Sequence, residues 1–332
     1  MADNDSDVLV LGAGVIGLST AVCLAEAGVS VTVAAADPPG RTTSVAAGAI
    51  WGPHLVGMDE RVERWANATL TSLAKLSQPE LGANALAGIV HAVTGTAASR
   101  DSEAAPPEFA ATAADLTECP PERVPAGYAA AWRLTATIIS MPGYLDYLAG
   151  RFSRAGGRST FPAKIGRFAD AGRLAPSARV IVNCTGCGAR DLVPDPDVVP
   201  VRGQIVVVAN PGITEFFVGT GSDPGDLTHL FPHGDVVVLG GTEQRGNWSL
   251  DADPDTAASI IAACAAIEPA LRGAPVLEHR VGLRPARSRV RLEAERSGGV
   301  TVVHNYGHGG AGVTLSWGCA EDAAELVLAA LG

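Results

Sequence analysis

Three glycines with the spacing G-x-G-x-x-G occur in the stretch Val8-Leu-Val-Leu-Gly12-Ala-Gly14-Val-Ile-Gly17-Leu-Ser-Thr-Ala21. The apolar residues before Gly12 predict a short buried strand, and those after Gly17 predict a helix. In that setting Gly12 permits a tight turn, Gly14 lets the backbone approach a pyrophosphate, and Gly17 lets the helix pack closely on the strand. The free N–H groups at the helix start then face the phosphates. The stretch therefore predicts a dinucleotide-binding βαβ unit.

A second apolar run, Val29-Ser-Val-Thr-Val-Ala-Ala-Ala36, follows this helix and ends at Asp37. Asp37 lies 20 residues after Gly17, at the distance where an acidic side chain accepts a hydrogen bond from a ribose hydroxyl. The alternative is a glycine turn in an ordinary βαβ unit that binds no nucleotide. The combination of strand, helix, second strand and terminal acid favours the nucleotide site. It does not distinguish NAD from FAD.

The composition of the 332 residues is that of a globular chain with a large core. The formal net charge is −11 and no basic stripe is present, which argues against nucleic acid and anionic membranes as partners. The acidic N-terminus differs from a signal peptide, and no apolar run reaches the roughly 18 residues of a membrane span. The six cysteines are scattered and form no disulfide framework. We therefore expect a reduced, cytoplasmic protein.

Periodicity and turn residues predict the order of the remaining elements. Helices are expected at 59–76, 142–153, 257–266 and 312–331. Strands are expected at 179–184, 198–208 and 235–239. Residues 98–125, which are rich in Ala, Pro, Glu and Asp, are expected to form an exposed, irregular connection. Because strands and helices alternate at both ends and strands dominate the middle, we expect an α/β domain interrupted by a mostly β substrate domain.

Two further motifs are candidates for chemistry. His304-Asn-Tyr-Gly-His-Gly-Gly-Ala-Gly312 precedes a helix and predicts a second backbone cradle, with the helix dipole favouring negative charge. The alternatives are a plain turn or a histidine metal site, and the glycines disfavour the local helix that such a metal site needs. Cys184 and Cys187 have C-x-x-C spacing without a second cysteine pair, so neither a zinc site nor a redox site is expected.

An arginine-dense segment, Arg280-Val-Gly-Leu-Arg-Pro-Ala-Arg-Ser-Arg-Val-Arg291, stands out in an acidic chain that has few lysines. Arginine offers a planar fork of donors that matches a carboxylate or a phosphate. Arg284 follows Val281, Gly282 and Leu283 and is the arginine that we expect to be buried. The arginines at 287, 289 and 291 alternate and are expected to form a solvated strand face.

No Ser-His-Asp order or paired carboxylates stand out, so electron transfer through a bound cofactor is favoured over hydrolysis. The chain resembles the FAD-dependent D-amino acid oxidase and D-aspartate oxidase family over nearly its whole length. The most distinctive of the matching segments are Gly282-Leu-Arg-Pro-Ala-Arg287 and His304-Asn-Tyr-Gly-His-Gly-Gly310. The other segments are Gly12–Ala21, Val45-Ala-Ala-Gly48, Val182-Asn-Cys-Thr-Gly186, Arg202-Gly-Gln-Ile205 and Leu239-Gly-Gly-Thr242.

The resemblance implies non-covalent FAD and two interleaved domains. The Rossmann-like FAD-binding domain would comprise 1–55, 138–190 and 285–332. The strand-rich substrate domain would comprise 56–137 and 191–284, and such domains often pair subunits into a homodimer. The implied substrates are an amino acid and oxygen, with no metal.

The resemblance also implies roles for individual residues. The ADP half of FAD would contact Gly12, Ala13, Gly14, Val15, Ile16, Gly17 and Asp37. The phosphates and flavin would contact Thr42, Thr43, Gly48, Ala49 and Ile50, and the adenine would meet the Ile165 backbone. Further cofactor contacts are implied for Thr185, Gly186, Gly309, Gly310, Ala311, Gly312, Val313 and Thr314. Arg284 would pair with the substrate carboxylate, and the Gly310 carbonyl would accept a hydrogen bond from its amine.

The implied reaction is hydride transfer from the substrate Cα to flavin, followed by hydrolysis of the imine and formation of hydrogen peroxide. It needs an oriented neutral amine and no dedicated base. The chain departs from the family pattern at His229, which replaces a carboxylate-binding tyrosine, and at 219–227, where a lid tyrosine is missing. These departures leave open an oxidase of glycine, sarcosine or another small amine, or an FAD-binding protein without turnover.

Glu243 occupies the position where D-aspartate oxidases that resemble this chain place an arginine for the side-chain carboxylate. A carboxylate there would repel acidic substrates. We therefore expect neutral or basic D-amino acids to be preferred. The alternative is that Glu243 pairs with a nearby arginine such as Arg245 and never faces the pocket.

Overall fold

The computed structural model describes residues 6–77, 86, 88–107, 109–110, 113–221, 227–297 and 299–332. Within these residues the strands form a six-stranded and a nine-stranded sheet. The strands are β1 Val8–Leu11, β2 Val31–Ala34, β3 Val90–Ser99, β4 Thr117–Glu118, β5 Ala130–Ile139, β6 Arg158–Thr160, β7 Val180–Asn183, β8 Val199–Ala209, β9 Phe216–Thr220, β10 Leu227–His233, β11 Val236–Gly240, β12 Gln244–Arg245, β13 Val276–Ala286, β14 Arg291–Ser297 and β15 Val300–Tyr306. The α-helices are α1 Val15–Glu26, α2 Glu60–Leu76, α3 Met141–Arg154, α4 Ala189–Leu192, α5 Pro254–Ile267 and α6 Gly312–Leu331.

The six-stranded sheet has the order β14-β15-β7-β1-β2-β6. Its strands are parallel except β14, which runs antiparallel to β15. All four residues of β1 are buried, as expected for a central parallel strand whose two faces are both covered. Strand β1 pairs in register with β2 and with β7, so that Val8 lies between Val31 and Val180. The predicted strand–turn–helix–strand unit at the N-terminus is confirmed.

The nine-stranded sheet has the order β12-β8-β11-β10-β9-β3-β5-β4, and β13 pairs with β8. Its pairs are antiparallel apart from β3 with β9. Its strands come from 90–139 and from 199–286, so the chain enters this sheet twice. The α/β fold with a second strand-rich layer is therefore confirmed.

The helices begin where local sequence allows. Helix α1 starts directly after Gly14, and the Asp59 carboxylate caps α2 by accepting from the Val62 N–H at 2.9 Å. Pro142 lies in the first turn of α3, where its missing N–H costs nothing. The final helix extends over Gly312–Leu331, as predicted.

The expectation of an irregular connection over 98–125 is wrong at two points. Ala98 and Ser99 complete β3, because their backbone groups pair with Ala131 and Ala130 of β5. Thr117 and Glu118 form β4 on the other edge of β5. Residues 108, 111 and 112 of that stretch lie outside the described residues.

Helix α2 packs against α6. Trp65 of α2 is 1% exposed, and a Cβ added at Gly318 of α6 would overlap with its backbone. The Trp65 indole donates to Asp322 of α6 at 2.8 Å. This helix, assigned by sequence to the substrate segment 56–137, thus shares a buried cluster with the helices of the nucleotide-binding unit. No described helix is long and apolar enough to cross a membrane.

Candidate active site

Two adjoining cavities are lined by most of the residues singled out by sequence. The nucleotide cavity, about 430 Å³, is lined by the glycine turn, and the second cavity, about 450 Å³, lies beyond it. The two cavities share the lining residues Ala47, Arg284, Gly310 and Val313. One extended ligand can therefore pass from the nucleotide turn to the second cavity.

Most of the predicted cofactor residues meet at these cavities. The nucleotide cavity is lined by Gly12, Ala13, Gly14, Val15, Ile16, Asp37, Thr42, Thr43, Ile165, Thr185, Gly186, Gly309, Gly310, Gly312 and Val313. The second cavity is lined by Gly48, Ala49, Ile50 and Thr314, and by His229, Glu243, Arg284 and Gly310. Gly17 and Ala311 line neither cavity.

The glycine turn is closed by backbone contacts that exclude a Cβ. Gly12 has φ +110°, and a Cβ there would overlap with the carbonyl of Cys184 at the end of β7. A Cβ at Gly17 would overlap with the carbonyl oxygen of Gly12. Helix α1 can thus begin close to both β1 and β7, with its first N–H groups at the cavity. Gly17 shapes the turn from beneath without lining the cavity.

Three residues near the turn were not predicted from the sequence. The Ser44 hydroxyl accepts from the Val15 N–H at 3.0 Å, at the start of α1. Arg41 and Lys164 are exposed residues on the rim of the nucleotide cavity. Their positive charges suit a ligand that carries phosphates. Ser44 follows two predicted threonines, so the polar run Thr42-Thr-Ser44 was the available signal.

The glycine-rich loop before α6 approaches the second cavity. The Gly309 N–H donates to the Pro285 carbonyl at 2.9 Å, and the Gly310 N–H donates to the His54 carbonyl at 3.0 Å. A Cβ at Gly309 would overlap with the carbonyl of Leu55. The loop is therefore fastened on two sides immediately before α6, whose N-terminus favours negative charge nearby.

Arg284 presents a guanidinium without a carboxylate partner. Its Nη1 donates to the Thr242 carbonyl at 3.0 Å, and no carboxylate of the described residues lies within ion-pair distance. Its neighbours Arg280, Arg287 and Arg291 all have one. Burial lowers the pKa of Arg284, partly offset by Glu243, but a guanidinium stays charged at any physiological pH. Arg284 is thus a half-buried cation with donors left for an anion.

The expectation of a solvated face at 287, 289 and 291 is wrong for two of the three arginines. Arg287 is paired with Asp195 at 3.0 Å, and Arg291 is paired with Glu293 at 2.7 Å and Glu295 at 3.0 Å. Strand β13 ends at Ala286, so the alternation that the sequence suggested does not continue. Only Arg289 of these three is exposed.

His229 lies in the wall of the second cavity as a neutral ring. It is 7% exposed and stacks on Phe231 with ring centroids 4.8 Å apart. Its Nε2 is packed against the backbone of Gly240 and has no hydrogen-bond partner among the described residues. Burial, together with the charges of Arg284 and His54, lowers the pKa of His229 to about 3. The ring can accept or donate one hydrogen bond but carries no charge near neutral pH. The neighbouring segment 222–226, part of the expected bare lid, lies outside the described residues.

Glu243 faces the second cavity and pairs with His54. Its Oε1 lies 2.7 Å from His54 Nε2. Burial alone would raise the pKa of the Glu243 carboxyl, but the hydrogen bond to His54 and the positive charges of His54 and Arg284 lower it overall. The alternative of a pair with Arg245 is therefore wrong, because the partner of Glu243 is His54. The His54 backbone also holds Gly310, so this pair adjoins the glycine-rich loop.

The C-x-x-C pair has the environment of inert thiols. Burial raises the pKa of Cys184 and of Cys187 to about 12. Thiolates are the reactive form of cysteine, so neither group is activated. The six cysteines, all within the described residues, are free.

The glycine turn, the parallel sheet and the two adjoining cavities are the features of a dinucleotide-binding fold. Residues 7–326 match the family model described as FAD dependent oxidoreductase, and the chain belongs to this family. It is 45% identical to a D-amino-acid oxidase of Rubrobacter xylanophilus over 97% of this chain and 96% of that protein. It is 43% identical to a D-amino-acid oxidase of Streptomyces coelicolor over 98% and 97%. The fold is similar to glycine oxidase from Bacillus cereus, with TM-score 0.78, 18% identity and 98% of each chain covered.

We predict that the protein loses stability on mild acidification. Burial lowers the pKa of His229 and His308 to about 3 and that of His233 to about 4, from an ordinary value of 6.5. Below pH 6.5 the unfolded chain therefore takes up protons that the native protein does not. Each histidine should contribute a slope of about 1.4 kcal/mol per pH unit to the free energy of unfolding until the pH nears its native pKa.

Urea unfolding at a series of pH values, with FAD in constant excess, measures this slope. His308→Asn should reduce this slope by about 1.4 kcal/mol per pH unit, the contribution of one proton. A free energy of unfolding that does not change between pH 6.5 and about 4.5 would contradict the assignment of neutral buried histidines.

Proposed function

We propose that this protein catalyses the FAD-dependent oxidative deamination of D-amino acids to 2-oxo acids, with release of ammonia and hydrogen peroxide. One observation carries the proposal. Arg284, a cation without a carboxylate partner among the described residues, lies where the nucleotide cavity meets the second cavity, beside Gly310. The names of the Rubrobacter and Streptomyces relatives agree with it.

The nucleotide cavity fits FAD. A Cβ at Gly12 or Gly17 would overlap with backbone, and one at Gly14 would lie 3.1 Å from Ser44 Oγ. The start of α1 is therefore uncovered at these glycines, and phosphates can meet its backbone N–H groups directly. We propose that the ADP half contacts Gly12–Ile16 and Asp37, with Thr42, Thr43 and Ser44 at the phosphates. The flavin would adjoin Gly48–Ile50 and Gly309–Thr314. When bound, the flavin supplies the acceptor for a hydride, and oxygen accepts the electrons in turn.

The residues of the chain would hold the substrate. Arg284 binds the carboxylate through paired N–H donors, which fixes both its position and its orientation. The Gly310 carbonyl accepts a hydrogen bond from the amine, so Cα is held toward the flavin. His229 is neutral and would serve as a second ligand of the carboxylate through Nδ1, since its Nε2 faces backbone. Phe231 and Trp132 line the same cavity and limit the entry of water.

The side-chain preference follows from Glu243. An ionised carboxylate in the wall of the cavity disfavours acidic side chains and favours neutral or basic ones. The Glu243 carboxylate lies 2.7 Å from His54 and also lines the cavity, so a substrate side chain can approach it. We propose that D-aspartate and D-glutamate are poor substrates. The homodimer, the cytoplasmic location and the two-domain division stay predictions.

Anaerobic mixing with amino acids tests the proposed reaction. The visible absorbance of the bound flavin should bleach with D-alanine and D-methionine but not with their L-isomers, because only one face of Cα can meet the flavin when Arg284 and Gly310 are engaged. Bleaching only by glycine or sarcosine would replace the proposal with an oxidase of small amines. Absence of bleaching by any of these would indicate an FAD-binding protein without turnover.

Arg284→Ala should lower kcat/KM for D-amino acids by at least about a hundredfold, because charge-assisted hydrogen bonds contribute roughly 1.5–3 kcal/mol each. FAD should remain bound. Arg284→Lys should recover little, since an ammonium cannot form the fork. Arg133→Ala, which breaks an exposed ion pair with Glu215 on the nine-stranded sheet, is the matched control. Near-normal steady-state kinetics in Arg284→Ala would overturn the role of this residue.

Glu243→Gln should change the preference for charge at constant side-chain shape. We expect the ratio of kcat/KM for D-lysine to that for D-norleucine to fall by about tenfold, since close unit charges interact by about 1 kcal/mol or more. D-aspartate should become a better substrate. Glu215→Gln serves as control, because Glu215 is ion-paired on the surface with Arg133. Equal effects on all three substrates would show that Glu243 has a structural role only.

A further inference from the structure

We propose that Asp195 is a positioning residue that sets the distance between Arg284 and the glycine-rich loop at the flavin. It lies between α4 and β8, is 7% exposed and lines neither cavity. It would act through other side chains and would touch neither substrate nor cofactor. The proposal rests on the proposed function for the role of Arg284.

Asp195 joins the segment after Arg284 to the segment before the loop. Its Oδ2 accepts from the Tyr306 hydroxyl at 2.7 Å and from Arg287 Nε at 3.0 Å. Arg287 follows Arg284 by three residues, and Tyr306 is the last residue of β15, directly before Gly307. One carboxylate oxygen therefore bridges two segments that are distant in the sequence.

Two further contacts join the segment that follows Arg284 to the glycine-rich loop. Gly307 has φ +86°, and a Cβ there would lie 2.9 Å from Cδ of Arg287, so the stem of Arg287 covers this glycine. The Gly309 N–H donates to the carbonyl of Pro285, the residue after Arg284. A shift of Arg287 or Tyr306 would therefore move the loop and the strand end that carries Arg284 relative to each other.

The charges in the network are consistent with a fixed arrangement. Burial alone would raise the pKa of Asp195, but the hydrogen bonds from Tyr306 and Arg287 lower it overall, so the carboxylate is ionised. Burial and the bond to Asp195 raise the pKa of Tyr306 to about 12, so its hydroxyl is a neutral donor. Arg291 Nη1 donates to the same hydroxyl at 2.9 Å. The second oxygen of Asp195 accepts from the Asp197 N–H at 3.1 Å, which holds the carboxylate in its own loop.

A merely structural ion pair provides the control. Asp322 on α6 accepts from Arg64 at 2.6 and 2.8 Å and from Trp65 at 2.8 Å, and it fastens two helices. It resembles Asp195 in charge and in the number of donors but does not join the segments around Arg284 and Gly309. Asp195→Asn and Asp322→Asn therefore each remove one buried or partly buried carboxylate charge. Only Asp195 joins the segments around Arg284 and the glycine-rich loop, whereas Asp322 joins α2 to α6.

The experiment measures four quantities in Asp195→Asn, Tyr306→Phe, the double variant and Asp322→Asn. These are the thermal midpoint, the Kd of FAD from flavin fluorescence, the Kd of propionate from the flavin absorption spectrum, and the rate constant of anaerobic flavin reduction. In Asp195→Asn and Tyr306→Phe we expect both Kd values to rise about threefold to tenfold, and reduction at saturating D-alanine to slow by about tenfold to a hundredfold, since small misplacements cost that much. The double variant should be no worse than the stronger single variant, because the two changes break one network.

Asp322→Asn should lower the thermal midpoint while leaving the Kd of FAD and of propionate unchanged. The proposal is overturned if Asp195→Asn and Tyr306→Phe leave both Kd values at the wild-type level. It is also overturned if Asp322→Asn raises both Kd values as much as Asp195→Asn does, at an equal decrease in thermal midpoint. Tyr306→Phe removes a single hydroxyl and keeps the test valid if Asp195→Asn fails to fold. The two Kd values need no turnover, so a wild-type protein that binds FAD without oxidising D-amino acids would contradict the proposed function and leave this test in place.

Discussion

The arrangement of the nucleotide-binding unit depends on close backbone contacts at the first glycine turn, between Gly12 and the end of β7 and between Gly17 and Gly12. Gly12 lies against the end of β7, and Gly17 lies against Gly12, at distances that leave no room for a Cβ. Helix α1 can therefore start close to two parallel strands, with its N-terminus at the cavity. The same strand, β7, carries β15 on its other side, and β15 leads to the loop at the second cavity.

The second determinant of the site is the distribution of charge among the arginines near β13. Arg280, Arg287 and Arg291 are each neutralised by a carboxylate of the chain, whereas Arg284 has none among the described residues. The absence of a carboxylate partner for Arg284 among the described residues is notable because the chain has an excess of acidic residues and a net charge of −11. Leaving a half-buried cation without its counter-ion is costly unless a ligand supplies one. In the function that we propose, this anion is the carboxylate of the substrate.

The neutral His229 and the ionised Glu243 complete the electrostatic character of the second cavity. His229 is held neutral by burial and by the charges of Arg284 and His54. Glu243 stays ionised through His54, on the wall of the same cavity. The cavity thus has a positive region at Arg284, which favours an anion, and a negative region at Glu243, which disfavours an anion. The proposed preference for zwitterionic substrates with a neutral or cationic side chain rests on this separation.

Local patterns in the sequence were enough to predict the parts of this protein that depend on near neighbours. Spacing, capping and hydropathy over a few residues predict the G-x-G-x-x-G turn, the bounds of α2 and α6, and the glycine-rich loop before α6. They also single out Arg284, which is half-buried. Pairings between distant segments followed only from the tertiary structure. The partner of Glu243 is His54 rather than Arg245, Ser44 reaches the start of α1, and Arg287 and Tyr306 meet on Asp195. Hydrogen bonds and ion pairs depend on distances of about 3 Å, and the packing of the two sheets decides which remote side chains come that close.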